Sequence, residues 1–121
     1  MQHRTIISFL SGTLSPEQFG EQIADDVEAC SQGCSSGGSG HVIVAEGPAT
    51  MVTREHAARL LQALLDRRLT FEAANYLADG LIMSDDFDFE EAAVADAIAF
   101  VADDSRLPTR DETRAALAAL S

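Results

Sequence analysis

The sequence predicts a mainly α-helical domain of the α+β class, with five to six helices in a compact bundle and a small two-stranded β-hairpin. Three observations lead to this prediction. Apolar residues recur at helical spacing, helix-capping patterns precede several of these segments, and a short β-branched run is followed by turn residues. The chain has 121 residues, of which 46% are hydrophobic, so residues 1–121 are predicted to form a single domain.

A glycine stop and a proline start mark the first two helices. Residues 5–10 are predicted to form a short apolar helix that ends at Gly12. Ser15, followed by proline and by Gln18 three residues on, is typical of a helix start. The helix that begins there is expected to run to about Ser31.

A Gly/Ser-rich segment at residues 31–40 indicates a flexible loop. Residues 41–45 are predicted to form a strand, and residues 49–52 are predicted to return beside it as the second strand of the hairpin. A hairpin of this size is marginally stable alone, so we expect it to pack on the helices.

The strongest core helix in the sequence begins at Thr53. Its apolar stripe consists of Ala57, Leu60, Leu61, Leu64 and Leu65. Thr70 is expected to cap the next helix. Thr109 and Glu112 form a capping box that predicts the start of the last helix.

The segment 79–104 is apolar and at the same time strongly acidic, with nine carboxylates and no basic residue. Asp88 and Glu91 form a D-x-x-E pattern, which predicts that a helix starts at Asp88. The apolar stripe of this helix is Val94, Ala97, Ile98 and Val101. Because a helix turns by about 100° per residue, Asp96 and Asp103 fall on the side opposite to that stripe.

Most of these aspartates are not required for helix formation, and this surplus defines a candidate partner-binding site. The candidate residues are Asp85, Asp86, Asp88, Asp96 and Asp103, with Phe89 and Phe100 as apolar anchors. One interpretation is a docking surface for a basic protein partner. The other interpretation is a solvated face that keeps the protein soluble.

The charge of the chain excludes two classes of partner. A net charge of −12 argues against binding to the phosphate backbone of nucleic acid and against an anionic membrane surface. The apolar run in MQHRTIISFLSG is too short for a signal peptide, and no stretch approaches the ~18 apolar residues of a membrane span. We therefore expect a cytoplasmic protein whose cysteines are reduced.

No catalytic signature is complete, since neither H-E-x-x-H nor G-x-S-x-G occurs, so we expect a non-enzymatic protein without a cofactor or a metal. One alternative is a small metal-binding protein or enzyme that uses Cys30, Cys34 and His41. An EF-hand calcium site is disfavoured because Glu91 stands where that loop needs glycine. A homo-oligomeric module, such as a homodimer that buries an Ala/Phe face, is a further alternative.

Three stretches of the chain carry a resemblance to a known class of proteins, namely IISFLSGTLSPEQF, LLQALLDRRLTFEAANYLADGLIMSDDFDFE and LPTRDETRAAL. They resemble small acidic immunity proteins of bacteria, of the colicin D and contact-dependent inhibition type. Proteins of this type bind the basic catalytic domain of a cognate toxin, often a ribonuclease, and block its active site with acidic side chains. The resemblance implies an immunity protein in which Asp85, Asp86, Asp88, Asp96 and Asp103 face the toxin.

Overall fold

A computed structural model describes residues 3–35, 49–84, 86–103 and 107–120, with the side chains of the first range described up to Glu28. The helices and strands in these ranges are α1 (His3–Leu10), α2 (Pro16–Ser35), β1 (Thr50–Val52), α3 (Arg54–Leu65), α4 (Phe71–Met83), β2 (Phe87–Phe89), α5 (Ala92–Ala102) and α6 (Arg110–Ala118). The predicted mainly helical α+β class is confirmed. None of the helices in these ranges combines the length and the hydrophobicity that crossing a membrane requires.

The two strands pair in parallel, so the predicted hairpin is wrong. Thr50, Met51 and Val52 lie opposite Phe87, Asp88 and Phe89. Strand β1 falls within the expected return strand at 49–52, but its partner comes two helices later in the chain. Parallel strands need a crossover connection of a dozen or more residues, which α3 and α4 provide. The expected first strand at 41–45 lies outside the described residues.

One side of each of the first five helices contributes to the hydrophobic core. The largest side chains buried there are Phe9, Phe19, Ile6, Leu10, Ile23, Leu60, Leu61, Leu77, Leu81 and Ile98. The rings of Phe9 and Phe19 stack with their centroids 4.6 Å apart, which joins α1 to α2. Helix α4 packs along α5, and α3 packs against α6. Leu120, just after α6, is also buried.

Four helix starts predicted from capping residues are confirmed. The capping residues are Ser15, Thr53, Thr70 and Thr109. At Thr109 the capping box is complete, because the Glu112 carboxylate accepts the Thr109 N–H at 2.9 Å. At Thr53 the reciprocal acceptor is a histidine: Nδ1 of His56 accepts the Thr53 N–H at 3.2 Å.

The end of α1 requires a glycine, as predicted. Gly12 has a φ of +87°, which is a conformation that residues with a Cβ rarely adopt. The guanidinium of Arg59 donates a hydrogen bond to the carbonyl of Leu10 at the same helix end. A Cβ at Gly12 would lie 3.0 Å from that guanidinium, so both the backbone and the neighbouring side chain exclude a larger residue.

Helix α2 continues to Ser35, which is beyond the predicted end near Ser31. The first half of the predicted loop at 31–40 is therefore helical. The rest of that loop lies outside the described residues.

Candidate partner-binding surface

Helix α5 is buried along one stripe and exposed along the opposite one. The buried residues are Val94, Ala97, Ile98 and Val101, as predicted. On the opposite side Ala92, Asp96, Ala99 and Asp103 are exposed, and Phe100 is partly buried. We name these last five residues the α5 outer face. At 1.5 Å of rise per residue, Asp96 and Asp103 lie about 10 Å apart along the helix axis.

Side chains from two other helices hold the ends of α5. Nδ2 of Asn75 on α4 donates hydrogen bonds to the carbonyl oxygens of Val101 and Ala102, at 3.1 and 3.0 Å. These carbonyls have no partner within a helix that ends there. At the other end, the guanidinium of Arg54 on α3 forms an ion pair with Glu91. The α5 outer face is therefore presented by a helix that is fixed at both ends.

The glutamates before α5 bind α3 instead of capping α5. Glu91 occupies the N-cap of α5, but its side chain makes no capping hydrogen bond. Glu90 Oε2 accepts the backbone N–H of Arg54 at 3.2 Å, and Glu91 accepts from the Arg54 guanidinium. The same guanidinium donates to the carbonyl of Leu120 at 2.9 Å. The predicted helix start at Asp88 and its capping box with Glu91 are therefore wrong, because Asp88 lies in β2, α5 begins at Ala92, and Glu91 is engaged with α3.

Asp88 lies on the exposed side of the two-stranded sheet. Its register partner on β1 is Met51. Both side chains are exposed, and Met51 retains 50% of its accessible surface. Because register partners in neighbouring strands project to the same side of a sheet, a carboxylate and a large apolar side chain lie next to each other here.

Both candidate aromatic anchors pack against the hydrophobic core and are only partly exposed. Phe89 lies in β2, and Phe100 lies on the α5 outer face. Phe100 also lines a small surface cavity of about 110 Å³ with Asp103, Pro108 and Glu112. Phe100 is thus an aromatic residue that lies beside two carboxylates on a concave surface.

The other candidate aspartates have different surroundings. Asp86 is partly buried just before β2, and its carbonyl accepts the N–H of Thr50 at 2.7 Å. Asp103 is exposed at the C-cap of α5 and interacts with other groups of the chain. Asp85 lies outside the described residues. The candidates thus fall into two groups, one at β2 and one on the α5 outer face.

Four arginines in the described ranges pair with carboxylates that were not candidates. These ion pairs are Arg54 with Glu91, Arg59 with Glu55 at 3.8 Å, Arg68 with Glu17 at 2.8 Å, and Arg114 with Asp111 at 3.8 Å. The hydrogen bond from Arg68 lowers the pKa of Glu17 below its ordinary value. Neither Asp88 nor Asp96 forms an ion pair within the residues that the structure describes.

The alternative site at the cysteines stays a prediction. Within the described ranges, no group of three or more His, Cys, Asp or Glu residues is arranged to hold a metal ion. Cys30 and Cys34 belong to the last part of α2, where no side chains are described. His41 falls in the range 36–48, which is also outside the description.

Sequence reasoning missed two residues of this surface, Met51 and Arg54. Residues 87–89 do carry a strand signal, because apolar and polar residues alternate there with a period of two. That signal would have placed Asp88 beside a second strand. Nothing in the sequence identifies Arg54, because its contact with Glu91 joins residues that are 37 positions apart.

No family model, no curated protein and no solved structure is significantly similar to this chain. The geometry of the surface and the residues themselves are therefore the grounds for the function proposed next.

Proposed function

We propose that the protein is a cytoplasmic, non-enzymatic binding protein whose acidic surface binds a basic protein partner. The observation that carries this proposal is the state of Asp88 and Asp96. Both are exposed, and neither forms an ion pair within the described part of the chain. Neither carboxylate caps a helix, so contact with a cationic partner accounts for them better than a structural role does.

Each of these aspartates has an apolar side chain close to it. Met51 is the register partner of Asp88. Phe100 follows Asp96 by four residues on α5, a spacing at which helical side chains are neighbours. Protein interfaces draw most of their affinity from a few well-buried apolar or aromatic residues, while charged neighbours provide specificity. Each pair of an acidic and an apolar side chain is a point of contact that we propose for the partner.

The charge of the whole chain supports the same proposal. With a net charge of −12, the protein attracts a basic partner over distances longer than a direct contact. Such steering raises the association rate at low salt and weakens as salt screens the charges, since the Debye length is about 8 Å at physiological ionic strength.

The concrete form that we propose is an immunity protein that neutralises a basic toxin nuclease. The resemblance of the sequence to acidic immunity proteins supports this form. A nuclease active site is built to bind the polyanionic backbone of nucleic acid, so a surface of carboxylates presents a comparable distribution of charge. A protein that occupies that site would block the nuclease without any catalysis of its own.

Binding kinetics with basic nuclease domains test this proposal, beginning with any that is encoded next to the gene. We expect one of them to bind and to be inhibited at a stoichiometric ratio. The association rate should fall at least about tenfold between low salt and about 0.15 M salt. A variant that carries both Asp88→Lys and Asp96→Lys should associate more slowly than the parent protein at the same salt concentration. It should also no longer inhibit the nuclease.

The matched control makes an equal change in net charge at a different part of the surface. Glu21 and Asp25 are exposed on α2, so Glu21→Lys combined with Asp25→Lys alters the net charge by the same amount. If both double variants slow association equally, the whole-chain charge acts and the proposed surface does not. If no basic nuclease domain binds, the immunity function is wrong.

A further inference from the structure

A second concave surface lies between the turn that joins α3 to α4 and the start of α6. It is a cavity of about 340 Å³, and its walls combine apolar surface with a nearly equal amount of polar surface. Leu65, Leu69, Phe71 and Leu107 are among the apolar residues that line it. The charged side chains that line it, among the described residues, are Arg67 and Arg110.

The charge of this cavity is unusual for so acidic a chain. The chain has 20 carboxylate side chains and 8 arginines, yet among the residues that the structure describes no carboxylate lines this cavity. Three other cavities in the described ranges each contain carboxylates, namely Glu55 and Asp66 in one, Glu17 and Glu28 in another, and Asp103 and Glu112 in the third. Within the described residues, neither Arg67 nor Arg110 forms an ion pair.

The backbone at Arg67 does not call for an arginine. Arg67 has a φ of 58°, the left-handed conformation that favours glycine. Its N–H donates to the carbonyl of Leu64 at 3.1 Å, and the N–H of Arg68 donates to the carbonyl of Ala63 at 2.9 Å. These two bonds form a Schellman motif, in which the residue at the position of Arg67 is usually glycine. The backbone conformation therefore does not explain why an arginine occupies this position.

We propose that this cavity binds a small carboxylic acid with an apolar body. Planar guanidinium groups bind carboxylates through two parallel hydrogen bonds, so Arg67 and Arg110 recognise the charged end. The apolar walls take up the body of the ligand and cover Leu107, which is 67% exposed. The volume lies at the lower end of the range for small-molecule sites, so the ligand is no larger than a single ring or a short chain with its carboxylate.

Three probes of the intact protein separate the charged part of the ligand from the apolar part. They are phenylacetate, its neutral counterpart phenylacetamide, and acetate, which lacks the ring. Titrations followed by nuclear magnetic resonance give the affinity of each probe and the amides that shift on binding. We expect phenylacetate to bind at least about tenfold more tightly than either of the others, with shifts at Leu69 and Phe71.

Variants of the two arginines test their assigned role. Arg67→Gly keeps the left-handed backbone, so it should fold at least as stably as the parent. It should nevertheless bind phenylacetate about tenfold more weakly, as should Arg110→Gln. Arg4→Gln removes the same charge from an exposed position on α1 and should leave the affinity unchanged.

Several outcomes would overturn the proposal. Equal binding of phenylacetamide would show that the charge is not recognised, and equal binding of acetate would show only an unspecific anion site. Undiminished affinity in Arg67→Gly, or no binding of phenylacetate at all, would also contradict it.

Discussion

Residues 88–91 and 109–112 carry the same helix-capping pattern, but they have different structures. At 109–112 the pattern caps α6: Thr109 accepts the N–H of Glu112 at 3.1 Å, and Glu112 accepts the N–H of Thr109 at 2.9 Å. At 88–91, Asp88 lies in a strand and Glu91 binds the guanidinium of Arg54.

The difference shows how distant contacts override a local pattern. The carboxylate of Glu112 completes the capping box at the start of its own helix. Glu91 instead meets a guanidinium from α3, and a bond between two charged groups adds an attraction that a neutral backbone N–H does not provide. The apolar side chains on either side of Asp88 also favour a strand, since Phe87 is buried and Phe89 is partly buried.

Among substitutions that test this difference, Arg54→Ala is expected to cause the largest loss of folding stability. This substitution removes the ion pair with Glu91 and the hydrogen bond to the carbonyl of Leu120. Because the pair is partly exposed, we expect the free energy of unfolding to fall by about 1–2 kcal/mol. Urea denaturation measures this loss, with Arg4→Ala on α1 as the control. Equal stability of the two variants would show that Arg54 does not hold α3, the start of α5 and the end of α6 together.

A smaller contribution to folding stability, which depends on pH, is expected at the start of α3, where the capping box of Thr53 uses a histidine. Burial lowers the pKa of His56 below its ordinary value, which is about 6.5 in an unfolded chain. As pH falls below about 6.5, the unfolded chain takes up a proton before the folded chain does. The stabilisation from His56 is therefore present above that pH and decreases below it, as the pH approaches the lower pKa of the folded state.

His56→Gln provides the matched variant, since glutamine serves in a capping box but does not titrate. Comparing its unfolding free energy with that of the parent between about pH 8 and pH 5 cancels the contributions of the other histidines. The curves of unfolding free energy against pH for the parent and for His56→Gln should separate only at the acidic end of this pH range. Parallel curves would contradict the assigned role of His56.

Much of the helical fold could be predicted because its signals are local. Ser15, Thr70 and Thr109 lie next to the helices that they cap, and the buried stripe of α5 follows from helical spacing alone. The parallel pairing could not be predicted, since β1 and β2 are separated by two helices. For the candidate site, spacing predicted that Asp96 faces away from the core. It could not show that Glu90 and Glu91 are bound to α3, nor that Met51 lies beside Asp88.

The smallest loss of folding stability is expected from Asp88→Ala. Thr109→Ala is the variant with which it is compared, because it changes the first residue of the other capping pattern. Thr109→Ala removes a helix cap and should lower the free energy of unfolding by about 1 kcal/mol. Asp88→Ala removes an exposed side chain with no ion pair in the described ranges, so the change should stay within about 0.5 kcal/mol. Equal losses in urea denaturation would mean that Asp88 caps a helix after all. An Asp88→Ala variant that keeps its stability but binds a basic partner more weakly would instead place the role of this carboxylate at the interface, because the fold would not depend on it.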